Sequence, residues 1–263
     1  MTIITLTTDF GTGDHEVGVL KGVVWKIAPG VHIADLSHDI SPHDILEASL
    51  MLWRAAPFFP AGTIHVAVVD PGVGTSRRGI AASLGSQYFV GPDNGLITQL
   101  LAWVEGMDQP ASIIHLDRPD YWLPDVSSVF HGRDIFAPVA AHLASGVQLN
   151  SLGTPINDPV RLEIPVPIRI PSGWLGQVIH IDHFGNLSTN LHAGQLKSEK
   201  EVMIKIKSEQ ISGLVSTFGE RPVGSLVALL DSSGSLAISV VNGSAAQVFN
   251  IHVGDKIEVR VGN

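Results

Sequence analysis

Residues 64–78 read IHVAVVDPGVGTSRR, and this stretch decides the fold. Ile64 to Val69 is a nearly all-apolar run of strand length, the pattern of a strand covered on both faces. It stops at Asp70-Pro71-Gly72, where a residue without an amide hydrogen ends the ladder. Ligands of open α/β sheets bind beyond the carboxyl ends of strands, so Asp70 and the pair Arg77-Arg78 stand where chemistry is expected.

Toward the amino terminus, Ile45 to Ala56 has a helical pattern stopped at Pro57, and Val31 to Leu36 reads as a strand. Val17 to Ala28 reads as an amphipathic helix ended by Pro29-Gly30, and Ile3 to Thr7 as a first strand. In the other direction, Ile80 to Leu84 and Tyr88 to Val90 suit a strand pair, and Gly95 to Val104 and Gly132 to Ala144 suit helices. Pro138 predicts a kink or a late start in the last of these. The alternation implies an α/β sheet domain covered by helices over residues 1–156.

Residues 157–172 change texture, with four prolines spaced to forbid a helix, and read as an extended, semi-rigid linker. Residues 173–263 carry strand patterns at Gly176 to Ile181, Val202 to Ile206, Leu226 to Leu230, Leu236 to Val241 and Lys256 to Val261. Gly- and Ser-rich turns separate them, which suits a smaller antiparallel barrel or sandwich.

With 16 basic and 25 acidic residues among 263, the chain has no surplus of cations to displace counterions from phosphates, so nucleic acid is not expected as a partner. A cationic small molecule is electrostatically welcome at a net charge of −9. The absence of cysteine excludes disulfides, thiolate nucleophiles and Cys-ligated zinc. The start, MTIITLTTDFG, lacks a basic segment followed by an apolar one, and no apolar run reaches about 18 residues, so a cytoplasmic chain with no membrane contact is expected.

Four clusters follow strands or open helices: Thr7-Thr8-Asp9-Phe10-Gly11, the Asp70 to Arg78 loop, Phe130-His131-Gly132-Arg133-Asp134, and Asp182-His183-Phe184-Gly185-Asn186. Each alone has a plain reading. Asp9 suits a cap or an Asx turn, Gly72 and Gly74 a turn at positive φ, the arginines a solvated pair, and Phe184-Gly185-Asn186 a hairpin. Two His-Asp pairs, His38-Asp39 and His43-Asp44, raise a metallohydrolase alternative with Asp9, Asp14 and His15, although their spacing across Pro42 matches no helical ligand pattern.

Seven strings recur in order: TLTTDFG, ADLSHDISPHDILEA, FFPAGTIHVAVVDPGVGTSRR, YFVGPDNGL, VFHGRD with FAP, IDHFGNLSTN and GSAA. Together they resemble the S-adenosylmethionine hydroxide adenosyltransferases, relatives of the fluorinases and chlorinases. The resemblance implies hydrolysis of S-adenosylmethionine to adenosine and methionine, without metal or cofactor. It implies an α/β domain followed by a small β-barrel, and a homotrimer with active sites between the amino domain of one subunit and the carboxyl domain of its neighbour. It assigns water activation to Asp70, Arg77 and His131, and the chemistry of these side chains suggests that His131 and Asp70 take the proton while the permanently cationic Arg77 favours hydroxide character. It puts Asp9 on the ribose hydroxyls, Phe130 near the adenosine, and Asp182, Phe184 and Asn186 on the methionine end and adenine edge. Asn242, Ser244 and Ala245 would offer backbone or amide contacts to the base, and His43 stands where halogenating relatives carry an aromatic residue. Halogenases have hydroxyl-bearing residues in place of the Asp-Arg-His set, so its presence here favours water over halide. A 5′-halogenase and a binding module for S-adenosylmethionine or adenosine without turnover are the alternatives.

Overall fold

The apolar run at residue 64 forms the centre of a sheet. A computed structural model of the chain describes residues 2–196 and 202–261, and the chain packs as two compact units, Met1–Leu162 and Glu163–Asn263. In the first, strands and helices alternate: β1 (Ile3–Thr8), α1 (Glu16–Ile27), β2 (His32–Ser37), α2 (Ile45–Ala55), β3 (Ile64–Val68), β4 (Gly79–Leu84), β5 (Gln87–Pro92), α3 (Thr98–Gly106), β6 (Ala111–His115), α4 (Ala137–Ala144) and β7 (Thr154–Ile156).

The strand order is β2-β1-β3-β5-β4-β6-β7. Neighbours from β2 to β5 run parallel, and β4, β6 and β7 add antiparallel pairings. The chain leaves β1 for β2 on one side and returns to β3 on the other. The connections therefore diverge at the β1/β3 boundary, which opens a crevice at the carboxyl ends of those two strands. Helices α1 and α4 pack together, as do α2 and α3. Leu20, Val24 and Val139 join one apolar cluster with Ile4 and Leu6, while Ala48, Leu52 and Leu100 join another with Ala67 and Phe89. Every residue of β3 is buried, because both faces of the sheet are covered. Each large side chain in these layers contributes roughly 1.5–3 kcal/mol of transfer free energy.

Pro138 marks a late start: the α-helix begins at Ala137 rather than at Gly132. A π-helical turn, Gly132–Phe136, precedes the helix and places Pro138 in its first turn, where a missing amide hydrogen has no partner to lose. In the stretch 157–172, residues 158–162 are bonded into the first unit. Arg78 bonds Asp158 at 2.9 Å, the Val160 amide donates to Asp93 and the Leu162 amide to Thr98, all within the first unit.

The second unit contains β8 (Ile168–Ile170), β9 (Gly173–Ile181), β10 (Leu187–His192), α5 (Ala193–Leu196), β11 (Val202–Ile206), β12 (Glu209–Ser212), β13 (Leu226–Leu230), β14 (Ser235–Val240), α6 (Ala245–Val248) and β15 (Lys256–Val261). All pairings are antiparallel, in the order β12-β11-β15-β9-β10-β14-β13, with β8 on β9. The end strands β12 and β13 lie against each other, so the sheet curls into a nearly closed barrel. Val202, Ile204 and Ile206 point inward and alternate with exposed Met203 and Lys205, the two-residue period of a half-buried strand. Among the described residues no helix is long and apolar enough to cross a membrane.

Candidate active site

The β1/β3 crevice opens into a cavity of about 440 Å³, lined by Asp9, Phe10, Glu16, His43, Asp70, Phe130 and His131 among others. Thr8 and Val68 are register partners at the ends of the two parallel strands. The chain emerging from them delivers Asp9 and Asp70 to the same edge of the sheet, which is why residues 61 positions apart share one wall.

Asp70 is held by Arg77. The guanidinium Nε donates to both carboxylate oxygens at 2.9 Å and Nη2 adds a further bond to Oδ2. The same Nη2 reaches His131 Nδ1 at 2.9 Å. Asp70 and Arg77 side chains are only 5% and 11% exposed. The three residues that the sequence reading grouped as catalytic are therefore in direct contact. Asp70 and His131 lie on the cavity wall; Arg77 bridges them from behind, over the Phe136 ring at 5.2 Å.

This geometry fixes the proton on the imidazole. Arginine can only donate, so Nδ1 of His131 must accept, and the neutral ring carries its hydrogen on Nε2. Burial, and then the Arg77 charge, hold the His131 pKa below the ordinary histidine value, with Asp70 and Asp134 opposing. His131 is therefore neutral at neutral pH and presents an N–H donor.

Gly74 lets the loops that carry Arg77 and His131 approach each other. It sits at φ 76°, and a Cβ there would fall 2.1 Å from the Ser128 carbonyl oxygen. Only glycine allows the 70–77 loop to lie this close to the segment that carries His131. Asp134, fully buried, accepts the Ser127 amide and the Arg133 guanidinium, while Arg133 stacks 5.1 Å from the Phe130 ring. Arg78 is no solvated twin of Arg77; it is paired with Asp93 and Asp158.

Asp9 caps no helix. Its Oδ2 accepts the His43 amide at 2.9 Å, an amide aimed by a left-handed His43 backbone at φ 67°. The His43 side chain is 73% exposed at the cavity. The remaining His-Asp residues have local tasks. His38 bonds Thr8 and lies 3.1 Å from Asp35, the Asp39 amide bonds Ser37, and Asp44 caps α2 through the Glu47 amide. Among the described residues no three His, Asp or Glu side chains converge as a metal ion requires.

The second unit has its own cavity, about 510 Å³, lined by Phe184, Asn186, Phe218, Val240, Asn242, Gly243 and Ser244. Asp182 does not line it. Both its carboxylate oxygens are used inside the β9–β10 turn, on the Phe184 and Asn186 amides and on Asn186 Nδ2 at 2.8 Å. Phe184 is 73% exposed. Gly185, at φ 81°, packs so closely that a Cβ would meet Ser244 Oγ at 1.9 Å, and its carbonyl accepts the Ala246 amide. That contact brings the turn beside Asn242 and Ser244, which caps α6. Ala245 is fully buried, so only its backbone remains available.

Sequence reasoning assigned no role to Glu16, Phe10, Asp134 or Phe218. Asp134 was within a recognised string, and its position three residues after His131 was the available signal. Phe218, alone in a polar loop, gave none.

Residues 4–153 match the model of the SAM hydroxide adenosyltransferase N-terminal domain, and residues 176–258 that of the C-terminal domain. A protein of Salinispora tropica named (R)-S-adenosyl-L-methionine hydrolase is 37% identical over 261 residues, 98% of each chain. One of the same name from Thermus thermophilus is 39% identical over 94% of this chain and 95% of its own. A solved structure of an uncharacterized conserved protein from Thermotoga maritima superposes with a TM-score of 0.89 at 35% identity, covering 97% of this chain and 99% of that one. Two successive domain models and full-length relatives agree with the crevice and its Asp-Arg-His cluster: the chain belongs to the SAM hydroxide adenosyltransferase family.

Proposed function

We propose that this protein hydrolyses S-adenosylmethionine to adenosine and methionine, with water attacking the ribose 5′ carbon. The observation that carries the reading is the Asp70–Arg77–His131 contact on the wall of the β1/β3 cavity. The carbon–oxygen bond forms as the carbon–sulfur bond breaks, and the sulfonium leaves as a neutral thioether with the bonding pair. No acid has to assist departure. Position and a proton acceptor are what the protein supplies, and orientation alone is worth up to about 7–11 kcal/mol in well-aligned cases.

His131 Nε2–H donates to the water oxygen and orients it, because Nδ1 is occupied by Arg77. Asp70 accepts the proton, which is then released to solvent; Arg77 holds both groups and stays outside the cavity. The side-chain chemistry alone suggested that both His131 and Asp70 accept the proton, and this geometry favours Asp70 as the acceptor. Asp9 receives the ribose hydroxyls while the His43 amide fixes its orientation. The rings of Phe184 and Phe218, with Asn186, Asn242 and Ser244, suit a flat, uncharged base with hydrogen-bonding edges.

The assembly in this reading is a cytoplasmic homotrimer, the amino-terminal unit of one subunit facing the carboxyl-terminal unit of the next. Two separate cavities of complementary chemistry favour it, and a solution mass three times that of the chain checks it. The R configuration at sulfur follows the name of the relatives. Neither metal nor cofactor takes part, so EDTA leaves turnover unchanged.

Incubation with S-adenosylmethionine in ¹⁸O-water tests the reaction. One label in the adenosine 5′ hydroxyl is expected. Binding without adenosine would leave a non-catalytic module, and halide at the 5′ carbon would make the chain a halogenase.

A further inference from the structure

Three carboxylates line the cavity of the amino-terminal unit: Asp9, Glu16 and Asp70. Asp70 is neutralised by Arg77, and Asp9 accepts the His43 amide. Glu16 stands apart. Its Oε2 is enclosed and has no hydrogen-bond partner among the described residues. One carboxylate oxygen shielded from water without a partner, in a half-buried residue on a ligand cavity wall, offers an acceptor for a cation supplied by the ligand.

We infer that Glu16 is the substrate-recognition residue for the positive charge of the sulfonium substrate, and selects it over neutral nucleosides. The inference rests on the hydrolase reading and deepens it. The reactant carries cationic charge at sulfur and at its amino group, whereas adenosine carries none. A fixed anion facing the sulfonium binds the ground state better than a transition state in which that charge is dissipating. Glu16 then serves capture, and its removal leaves the chemical step unharmed.

The competing explanation is structural. Glu16 opens α1, and an acidic residue in a first turn is favoured by the helix dipole whatever the ligand. The two roles differ in their readouts. A helix-terminal role affects thermal unfolding and all ligands alike, but charge recognition affects cationic ligands only.

The experiment compares wild type, Glu16→Gln and Glu16→Asp, measuring KM or inhibition constants for four compounds. S-adenosylmethionine carries both charges and S-adenosylhomocysteine the amino group alone. A 5′-dimethylsulfonio-5′-deoxyadenosine carries the sulfonium alone, and adenosine neither. For Glu16→Gln the KM for S-adenosylmethionine is expected to rise about tenfold or more, as for loss of a charged partner. The turnover number is unchanged or higher, adenosine inhibition is unchanged, and Glu16→Asp recovers part of the loss. The single-charge compound whose affinity falls identifies the group recognised.

Equal loss for all four compounds, or no loss for any, overturns the inference while wild-type turnover keeps the hydrolase reading intact. A wild-type chain that neither binds nor converts S-adenosylmethionine overturns both.

Discussion

The cavities of the amino-terminal and carboxyl-terminal units are similar in size, about 440 and 510 Å³, yet they are made of different materials. One sets three carboxylates and two histidines among the Phe10 and Phe130 rings at the ends of parallel strands. The other is lined by two phenylalanine rings, amides, a hydroxyl and backbone around a barrel turn, with no ionisable side chain in its lining. Each depends on a glycine at positive φ that lets two loops touch, Gly74 on Ser128 and Gly185 on Ser244. On the proposed reaction the same packing device serves proton chemistry in one unit and recognition of a neutral ring in the other, so equivalent damage is expected to have different kinetic signatures.

The largest effect is expected at Arg77. Arg77→Lys replaces a planar fork that serves Asp70 and His131 together with a single ammonium. Turnover is expected to fall at least about 100-fold, because misplacing a reacting group by an ångström costs about that much. A loss confined to KM would erase the distinction between the cavities.

The two glycines give the paired comparison. Gly74→Ala is expected to lower the turnover number by about 100-fold with little change in KM, and Gly185→Ala to raise KM with turnover at saturation retained. Steady-state kinetics on both variants checks this, and matching signatures would contradict it.

Acid extends the contrast to stability. His65, 1% exposed on β3 and hydrogen-bonded to Thr5 and Gln87, has its pKa pushed by burial down to about 4. The folded value lies below the unfolded one near 6.5, so its stabilising effect is complete above 6.5 and is lost as pH falls from there to about 4. The loss is on the order of 3 kcal/mol. Urea unfolding of His65→Gln is expected to show a smaller drop in stability between neutral pH and about 4 than wild type does. Parallel curves would reject the assignment.

The smallest effect is expected at Phe184. Its exposed ring supports no core, so Phe184→Ala is expected to leave stability within about 0.5 kcal/mol while KM rises about tenfold. Thermal unfolding with parallel kinetics checks both halves.

These contrasts were unevenly legible in the sequence. β3 was plain because burial on both faces leaves His65 as the one polar residue in an otherwise apolar run. The Asp70–Arg77 pairing was within local reach, seven residues apart in one loop. His131 is 54 positions from Arg77, and nothing short of the family resemblance linked them. Strand β10 was hidden because Ser188, Thr189 and Asn190 are buried polar residues; Asn190 satisfies itself on the Gln177 amide and the Pro165 carbonyl, a pairing no periodicity reveals. β7 is three residues long with Pro155 at its centre, which suits only a sheet edge. Asp182 shows a local task the sequence did not reveal: its oxygens accept the Phe184 and Asn186 amides and Asn186 Nδ2, which shapes the β9–β10 turn.

The central claim is that Asp70 takes the proton from a water held by His131. Single-turnover conversion of bound S-adenosylmethionine by Asp70→Asn tests it most directly, since the shape is kept and the basicity removed. Binding equal to wild type with conversion slowed about 10²- to 10⁴-fold is the predicted result. Conversion at the wild-type rate would contradict it.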